Sequence, residues 1–303
     1  MSVVSTSDFT AAEAAAPSHL RQVVSDYVEL TKPKVQSLLL FTTVATMEIA
    51  GDPPLSKIVL ACVGGYLSAG GAGAVNHWYD RDIDGQMERT ASRPIPSGRV
   101  SPRAALTYGI GLAALSFVLM TLTLNVLAAS LALAGFAGYV GVYTIWLKRR
   151  TWHNIVIGGA AGAIPPMVGW AAARGSLSWT AVYLFAIVFY WTPPHFWALS
   201  LLMKDEYAKV NIPMLPVVRG EAFTRQQILL YSLLLYAVTQ LPFCAGVFGG
   251  LYLAISLLLG IAVVGLAVLL YRRKDRASAL RLYLFSLAYL ALLFGAMVLD
   301  VKL

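Results

Sequence analysis

Asn76, Asp80 and Asp84 stand at i, i+4 and i+8 near the close of a long apolar run, in the segment Asn76-His77-Trp78-Tyr79-Asp80-Arg81-Asp82-Ile83-Asp84. On an α-helix each step of four turns the side chain by about 40° and rises about 6 Å, so these three share one face and Asp82 points elsewhere. Ionisable groups at the mouth of a membrane helix are costly to keep there and default to a functional reading. An oxygen-lined stripe suits a hard cation such as Mg²⁺, which is held by one or two carboxylates and shared with a phosphate. Arg89 and Arg93 follow within ten residues. Carboxylates that hold Mg²⁺ beside arginines that grip phosphate oxygens make a diphosphate site. Taken singly, either arginine also reads as a topology signal at a membrane edge.

A second motif, Lys204-Asp205-Glu206-Tyr207-Ala208-Lys209, ends another apolar run. Asp205 and Lys209 are i, i+4 neighbours that suit a helix-end ion pair. Set opposite the first motif, they add a carboxylate and a cation to it. Lys148-Arg149-Arg150 closes a further run, where positive charge favours the helix dipole and the cytoplasmic side. Tyr143, Thr144 and Asn154 form a polar patch at the same depth. The pairs Pro165-Pro166 and Pro193-Pro194 are expected to break their helices and free carbonyls. His77 and His195, the latter two residues from Trp197, each flank the polar site. They suit hydrogen bonds to a neighbouring helix or contacts to a macrocycle and its propionates.

These residues need a scaffold, and composition names its solvent. Of the 303 residues 58% are hydrophobic and only 13% charged, about half the charged share of a soluble domain. The mean hydropathy is +0.69. The expectation is an all-α integral membrane protein with nine transmembrane helices, at residues 34–52, 55–79, 103–123, 126–147, 152–172, 179–203, 227–247, 250–271 and 281–300. Each can cross about 30 Å of hydrocarbon. The net charge of +8 falls mainly on alternate loops, those carrying Arg21 to Lys34, Arg81 to Arg103, Lys148 to Arg150, Lys204 to Arg225 and Arg272 to Arg281. That sets the N-terminus in the cytoplasm and the C-terminus outside. The charge is topological, and no nucleic-acid partner is expected. The long loops, of about 20 residues, follow the second and sixth spans on that same face, where function concentrates. Asp80 and Asp205, four spans apart on one side, suggest a weak parallel repeat. Cys62 and Cys244 read as packing residues. Residues 1–26 read as a disordered cytoplasmic tail and 27–303 as one membrane domain.

The run Leu30-Thr31-Lys32-Pro33-Lys34, then Asn76…Asp80…Asp84 and Arg89-Thr90…Arg93-Pro94, resembles the UbiA-type intramembrane prenyltransferases. Tyr143-Thr144…Leu147-Lys148-Arg149, Asn154-Ile155…Gly158, Gly162-Ala163-Ile164-Pro165-Pro166 and Gly169-Trp170 are similar to its haem-farnesylating branch. So are Pro193-Pro194-His195-Phe196-Trp197-Ala198-Leu199 and Ile212-Pro213-Met214-Leu215-Pro216. The resemblance covers about residues 27–230. It implies nine helices around a central cavity open to the cytoplasm and to lipid, with farnesyl diphosphate as donor and a vinyl group of haem b as acceptor. The product would be haem O, passed to haem A synthase or a terminal oxidase assembly in a bacterial inner membrane. It implies Asn76, Asp80 and Asp84 as Mg²⁺–diphosphate ligands and Asp205 as the acid of the second motif. Beside them Arg89, Arg93, Lys148, Arg149 and Lys209 read as diphosphate-binding cations, and His77, His195 and Trp197 as candidates to face haem. Many members carry a second acid where Lys209 stands, so one metal site is less complete here and Lys209 suits a phosphate oxygen directly. Two other readings remain: the same chemistry on a quinone-precursor ring or chlorophyllide, and a cation-coupled transporter. The transporter reading expects acids at mid-membrane and an inverted repeat.

Overall fold

A computed structural model describes residues 19–303, and every regular element among them is helical. Short α1 (His19–Leu30) is followed by α2 (Pro33–Ala50), α3 (Leu55–Asp84) and α4 (Pro102–Thr123). Next comes α5 (Val126–Ala137), which continues without a break into a π-helical segment, Gly138–Leu147. The pair α6 (Asn154–Gly162) and α7 (Ile164–Arg174) precedes α8 (Trp179–Leu202), and α9 (Lys204–Lys209) and α10 (Leu215–Val218) lead to α11 (Gly220–Cys244), α12 (Gly250–Arg273) and α13 (Arg276–Lys302). Among the described residues seven helical rods are long and apolar enough to cross a membrane: α3, α4, α5 with its π continuation, α6 with α7, α11, α12 and α13. Leu122, Leu258, Ile261 and Leu284 are exposed on these rods, as a lipid-facing surface requires.

Three local features differ from the expectations. The stretch read as a tail ends inside α1, which begins at His19; residues 1–18 lie outside the described residues. This helix is held by ion pairs from Arg99 to Asp26, at 2.8 Å, and to Glu29, at 3.3 Å. The proline pairs act differently from one another. The break at Ala163 leaves Pro165 and Pro166 in the first turn of α7, where missing N–H groups cost nothing. Pro193 and Pro194, by contrast, lie inside a continuous α8. Finally, α8 ends at Leu202, so the second acidic motif sits on the separate short helix α9.

Glycine lets α3 approach its neighbours closely. A Cβ at Gly71 would stand 2.5 Å from the Gly109 carbonyl oxygen of α4, so the two backbones touch, as small residues permit in membranes. Gly71→Ala is therefore expected to destabilise the chain by about 1–3 kcal/mol, the usual cost of overpacking. Gly111→Ala, where a Cβ meets nothing within 4 Å, is expected to be neutral or better. Thermal unfolding of the two variants in the same detergent checks the contrast.

Candidate active site

The stripe on α3 forms as its spacing requires. Asn76 donates from Nδ2 to Asp80 Oδ2 at 2.7 Å, so the two side chains are adjacent on one face. Asn76, Asp80 and Asp84 are 3%, 0% and 3% exposed. An ionised carboxylate buried at that level needs cations or hydrogen-bond donors around it. Lys148 pairs with the same Asp80 oxygen, and Arg149 reaches the other Asp80 oxygen at 3.4 Å. Arg93 meets Asp84 at 2.6 Å. The long loop after α3 places Arg93 by folding back on the helix end, where Thr90 Oγ1 donates to the Asp84 carbonyl at 2.8 Å.

Asp82 faces away, with its side chain 58% exposed. Arg149 grips both its oxygens at 2.7 Å and lies 4.8 Å over the Tyr79 ring. Its guanidinium is thus shared between the stripe and the surface. Asp82→Asn is expected to lower activity less than tenfold, because an exposed pair contributes little. Initial-rate assays on purified protein check this, and a loss equal to that of Asp80→Asn would contradict the facing.

The π-helical segment adds residues that sequence periodicity did not assign. With i→i+5 bonding, residues four to five apart share a face. Tyr139, Tyr143–Thr144 and Lys148 align in this way, closed by Lys148 N–H donating to the Tyr143 carbonyl at 2.8 Å. Asn76 Nδ2 also donates to Thr144 Oγ1 at 3.3 Å. Opposite them, Tyr207 on α9 is buried within electrostatic reach of Arg89 and Arg93, and burial pushes its phenol above the usual range.

Lys32 is the largest addition to the site, since the sequence marks it as a topology signal and as part of the family resemblance but gives it no role among the site residues. It caps α2 in the left-handed region, at φ 54°, a conformation uncommon outside glycine. Gly70 and Gly73 of α3 make room for that turn: a Cβ on Gly73 would lie 3.0 Å from the Leu30 carbonyl oxygen. From there the Lys32 ammonium donates to Asn76 Oδ1. Burial first, then the charges of Arg93 and Lys148, holds its pKa down to about 7. Around two buried carboxylates stand Lys32, Arg93, Lys148 and a shared Arg149, with Arg89 nearby. The cluster carries surplus positive charge and is suited to a multiply charged anion.

The side chains of the other expected residues make no hydrogen bond or ion pair to this cluster, although His77 is buried within electrostatic reach of Lys32, Arg93 and Lys148. Asp205 is exposed on α9 and lines a separate cavity of about 180 Å³ with Lys204, Glu221, Arg225 and Lys274, so it is not a fourth neighbour of the α3 acids. Lys209 is also exposed, 3.9 Å from Glu88. Instead Glu206, next to Tyr207, keeps a shielded carboxylate oxygen without a partner. His77 is 2% exposed and both its ring nitrogens are unpartnered. His195 lies between α8 and α13, its ring stacked 4.3 Å from Trp191 and 4.9 Å from Tyr283. Trp197 is packed in the core, edge-on to Tyr231 at 5.2 Å.

Among the described residues no three His, Cys, Asp or Glu side chains converge to hold a metal by themselves. The donor set that is present, Asp80 and Asp84 with the Asn76 amide oxygen, fits Mg²⁺ that takes its remaining ligands from a phosphate group. It does not fit a closed, all-protein metal cage.

Comparison with known proteins gives the family and the fold. Residues 38–293 match the UbiA prenyltransferase family. A protoheme IX farnesyltransferase of Symbiobacterium thermophilum is 54% identical over 92% of this chain and 95% of its own length. One of Nostoc is 52% identical, over 92% and 89%. One of Chloroflexus aurantiacus is 53% identical over 92% of this chain, which spans only 48% of that longer relative. Solved structures share the fold at low identity. A digeranylgeranylglyceryl phosphate synthase superposes with TM-score 0.77 at 18% identity, over 93% of this chain and all of the other. A UbiA homologue of Archaeoglobus fulgidus bound to DMAPP and Mg²⁺ superposes with TM-score 0.71 at 17% identity, over 90% and 99%. Helices, buried acids and sequence kinship thus converge: the chain is a multi-pass membrane protein that belongs to the UbiA prenyltransferase family.

Proposed function

We propose that the chain transfers a farnesyl group from farnesyl diphosphate to a vinyl carbon of haem b, with addition of one water, giving haem O and diphosphate. The observation that carries this reading is the surplus of cations around the buried Asp80 and Asp84. The acceptor assignment is supported by relatives about half identical that bear the name protoheme IX farnesyltransferase.

Asn76, Asp80 and Asp84 would hold Mg²⁺, and the metal when bound would supply Lewis-acid neutralisation of the diphosphate. Lys148 and Arg93 exchange their carboxylate partners for phosphate oxygens. Lys32, Arg89 and Arg149 complete the cationic wall. These groups take up the negative charge that grows on the leaving diphosphate as the allylic carbon–oxygen bond breaks, which is stabilisation aimed at the transition state. The aromatic residues Tyr139, Tyr143 and Tyr207 bound the space beside them and limit capture of the allylic cation by water before the carbon–carbon bond forms. Lys209, 3.9 Å from Glu88 on the loop that carries Arg89 and Arg93, acts at the rim where the diphosphate is admitted, and Asp205 has no part in this reading. In this reading α2 and α8 cross the membrane with the seven apolar rods, making nine crossings, and the basic loops set the site toward the cytoplasm of a bacterial inner membrane. The haem O product passes to haem A synthase or to a terminal oxidase assembly.

Mass spectrometry of haems from membranes of a host lacking this activity tests the reading, with and without the chain. Haem O is expected only with it. Purified protein given farnesyl diphosphate with haem b or with 4-hydroxybenzoate separates the acceptors. Prenylated benzoate as the main product would overturn the haem assignment, and no diphosphate release with either would overturn the transferase.

A further inference from the structure

We propose that His195 is an axial ligand of the haem iron through Nε2, and that this bond fixes which edge of the macrocycle meets the allylic donor; the inference rests on haem b being the acceptor. The argument begins with one proton. The Ser286 hydroxyl donates to the Tyr283 carbonyl at 2.6 Å, so its only hydrogen is committed. The same oxygen lies 2.7 Å from His195 Nδ1 and must accept there. Nδ1 therefore carries the ring proton, and the lone pair of this neutral imidazole is on Nε2.

Nothing among the described residues hydrogen-bonds that Nε2, and the residue is mostly but not fully buried. A histidine kept merely to tie two helices would be complete with both nitrogens satisfied, because an unmet polar atom in a membrane interior costs free energy. Here the ring is fixed on three sides and left open on the fourth. Trp191 stacks on one face at 4.3 Å and Tyr283 on the other at 4.9 Å, with interplanar angles of 16° and 25°. Trp191 is itself pinned, its Nε1 donating to the Ser286 carbonyl at 2.7 Å. A ring nitrogen protonated toward an oxygen acceptor, with its opposite nitrogen free and oriented, is the arrangement that metal-binding histidines use. A neutral imidazole is also the usual proximal donor to haem iron. His77 lacks this support, since neither of its ring nitrogens has a partner to set the tautomer.

Depth agrees. His195 stands seven residues before the end of α8, at Leu202, and Asn76 stands eight before the end of α3, at Asp84. At 1.5 Å per residue both lie about 10–12 Å inside their helix ends. On the assigned topology both ends face the cytoplasm, so a macrocycle ligated at His195 lies at about the depth of Asn76, roughly 5–10 Å deeper than the ion-paired Asp80 and Asp84.

The test is spectroscopic and needs no turnover. Ferric haem b, and separately metal-free protoporphyrin IX, are titrated into the full-length protein in nanodiscs without farnesyl diphosphate. Absorption and resonance Raman spectra are recorded for wild type, His195→Ala and Ser286→Ala. Wild type is expected to show a nitrogen-ligated iron. His195→Ala is expected to lose it and to regain it with added imidazole, which also shows that the variant is folded. Ser286→Ala is expected to keep the ligand, shift the iron–histidine vibration and bind haem about tenfold more weakly, with protoporphyrin affinity unchanged. Identical haem spectra in wild type and His195→Ala would overturn the inference, as would equal wild-type affinity for haem and protoporphyrin. If wild type fails in these ways yet makes haem O, only the ligand assignment falls. If it neither binds haem nor makes haem O, the acceptor assignment falls with it.

Discussion

Asp80→Ala is expected to end turnover, by at least about 10²–10³-fold, while the chain remains inserted in the membrane. The carboxylate is fully buried and meets Lys148, Arg149 and Asn76 at once. Its removal deletes a metal oxygen and also leaves the Lys148 ammonium without its closest partner. Stability and chemistry are therefore both affected and must be separated. Asp80→Asn keeps the volume and the hydrogen bond from Asn76, and Asp80→Asn with Lys148→Met removes the stranded charge as well. Since replacing a whole buried ion pair is often neutral, the double variant is expected to recover the wild-type unfolding temperature and none of the activity. Asp84→Ala is expected to behave as Asp80→Ala does, through Arg93. Near-normal haem O formation by either alanine variant, measured on protein matched for membrane content, would show that the α3 stripe is not the metal site.

The stripe was legible in the sequence because it depends only on the helical period, and the structure keeps that period through Asp84. The outward turn of Asp82 was legible for the same reason. Lys32 was not. Its side chain reaches Asn76 only because a left-handed residue turns the chain and two glycines of α3 admit that turn, and both are tertiary facts. The π-helical register at Gly138–Leu147 was likewise hidden, since no residue type specifies i→i+5 bonding. Asp205 was misjudged for a boundary reason. An apolar run ending in Asp205 looks like the end of α3 with its acids, but α8 stops at Leu202 and a separate helix turns Asp205 outward. Prolines 193 and 194 misled in the opposite sense, because neighbouring helices support a continuous α8 where an isolated segment would break.

Removing divalent cations is expected to abolish diphosphate release, with activity returning on addition of Mg²⁺ and not of Ca²⁺. The reason lies in the count of oxygens. Two carboxylates and one amide are too few to hold a divalent ion strongly, and no third acid converges on them among the described residues. Mg²⁺ tolerates such a site when phosphate oxygens and water complete a small octahedron, whereas Ca²⁺ calls for six to eight ligands and a wider cage. Metal and donor should therefore bind as linked partners. Isothermal titration with a non-hydrolysable farnesyl diphosphate analogue is expected to show affinity that falls at least tenfold in chelator. Titration with Mg²⁺ alone is expected to show little heat. Haem binding, which draws on no residue of the stripe, is expected to be unchanged by chelator. Equal donor affinity with and without the metal would mean that Lys32, Arg93 and Lys148 hold the diphosphate unaided, and the acids would then serve only to keep those cations in place.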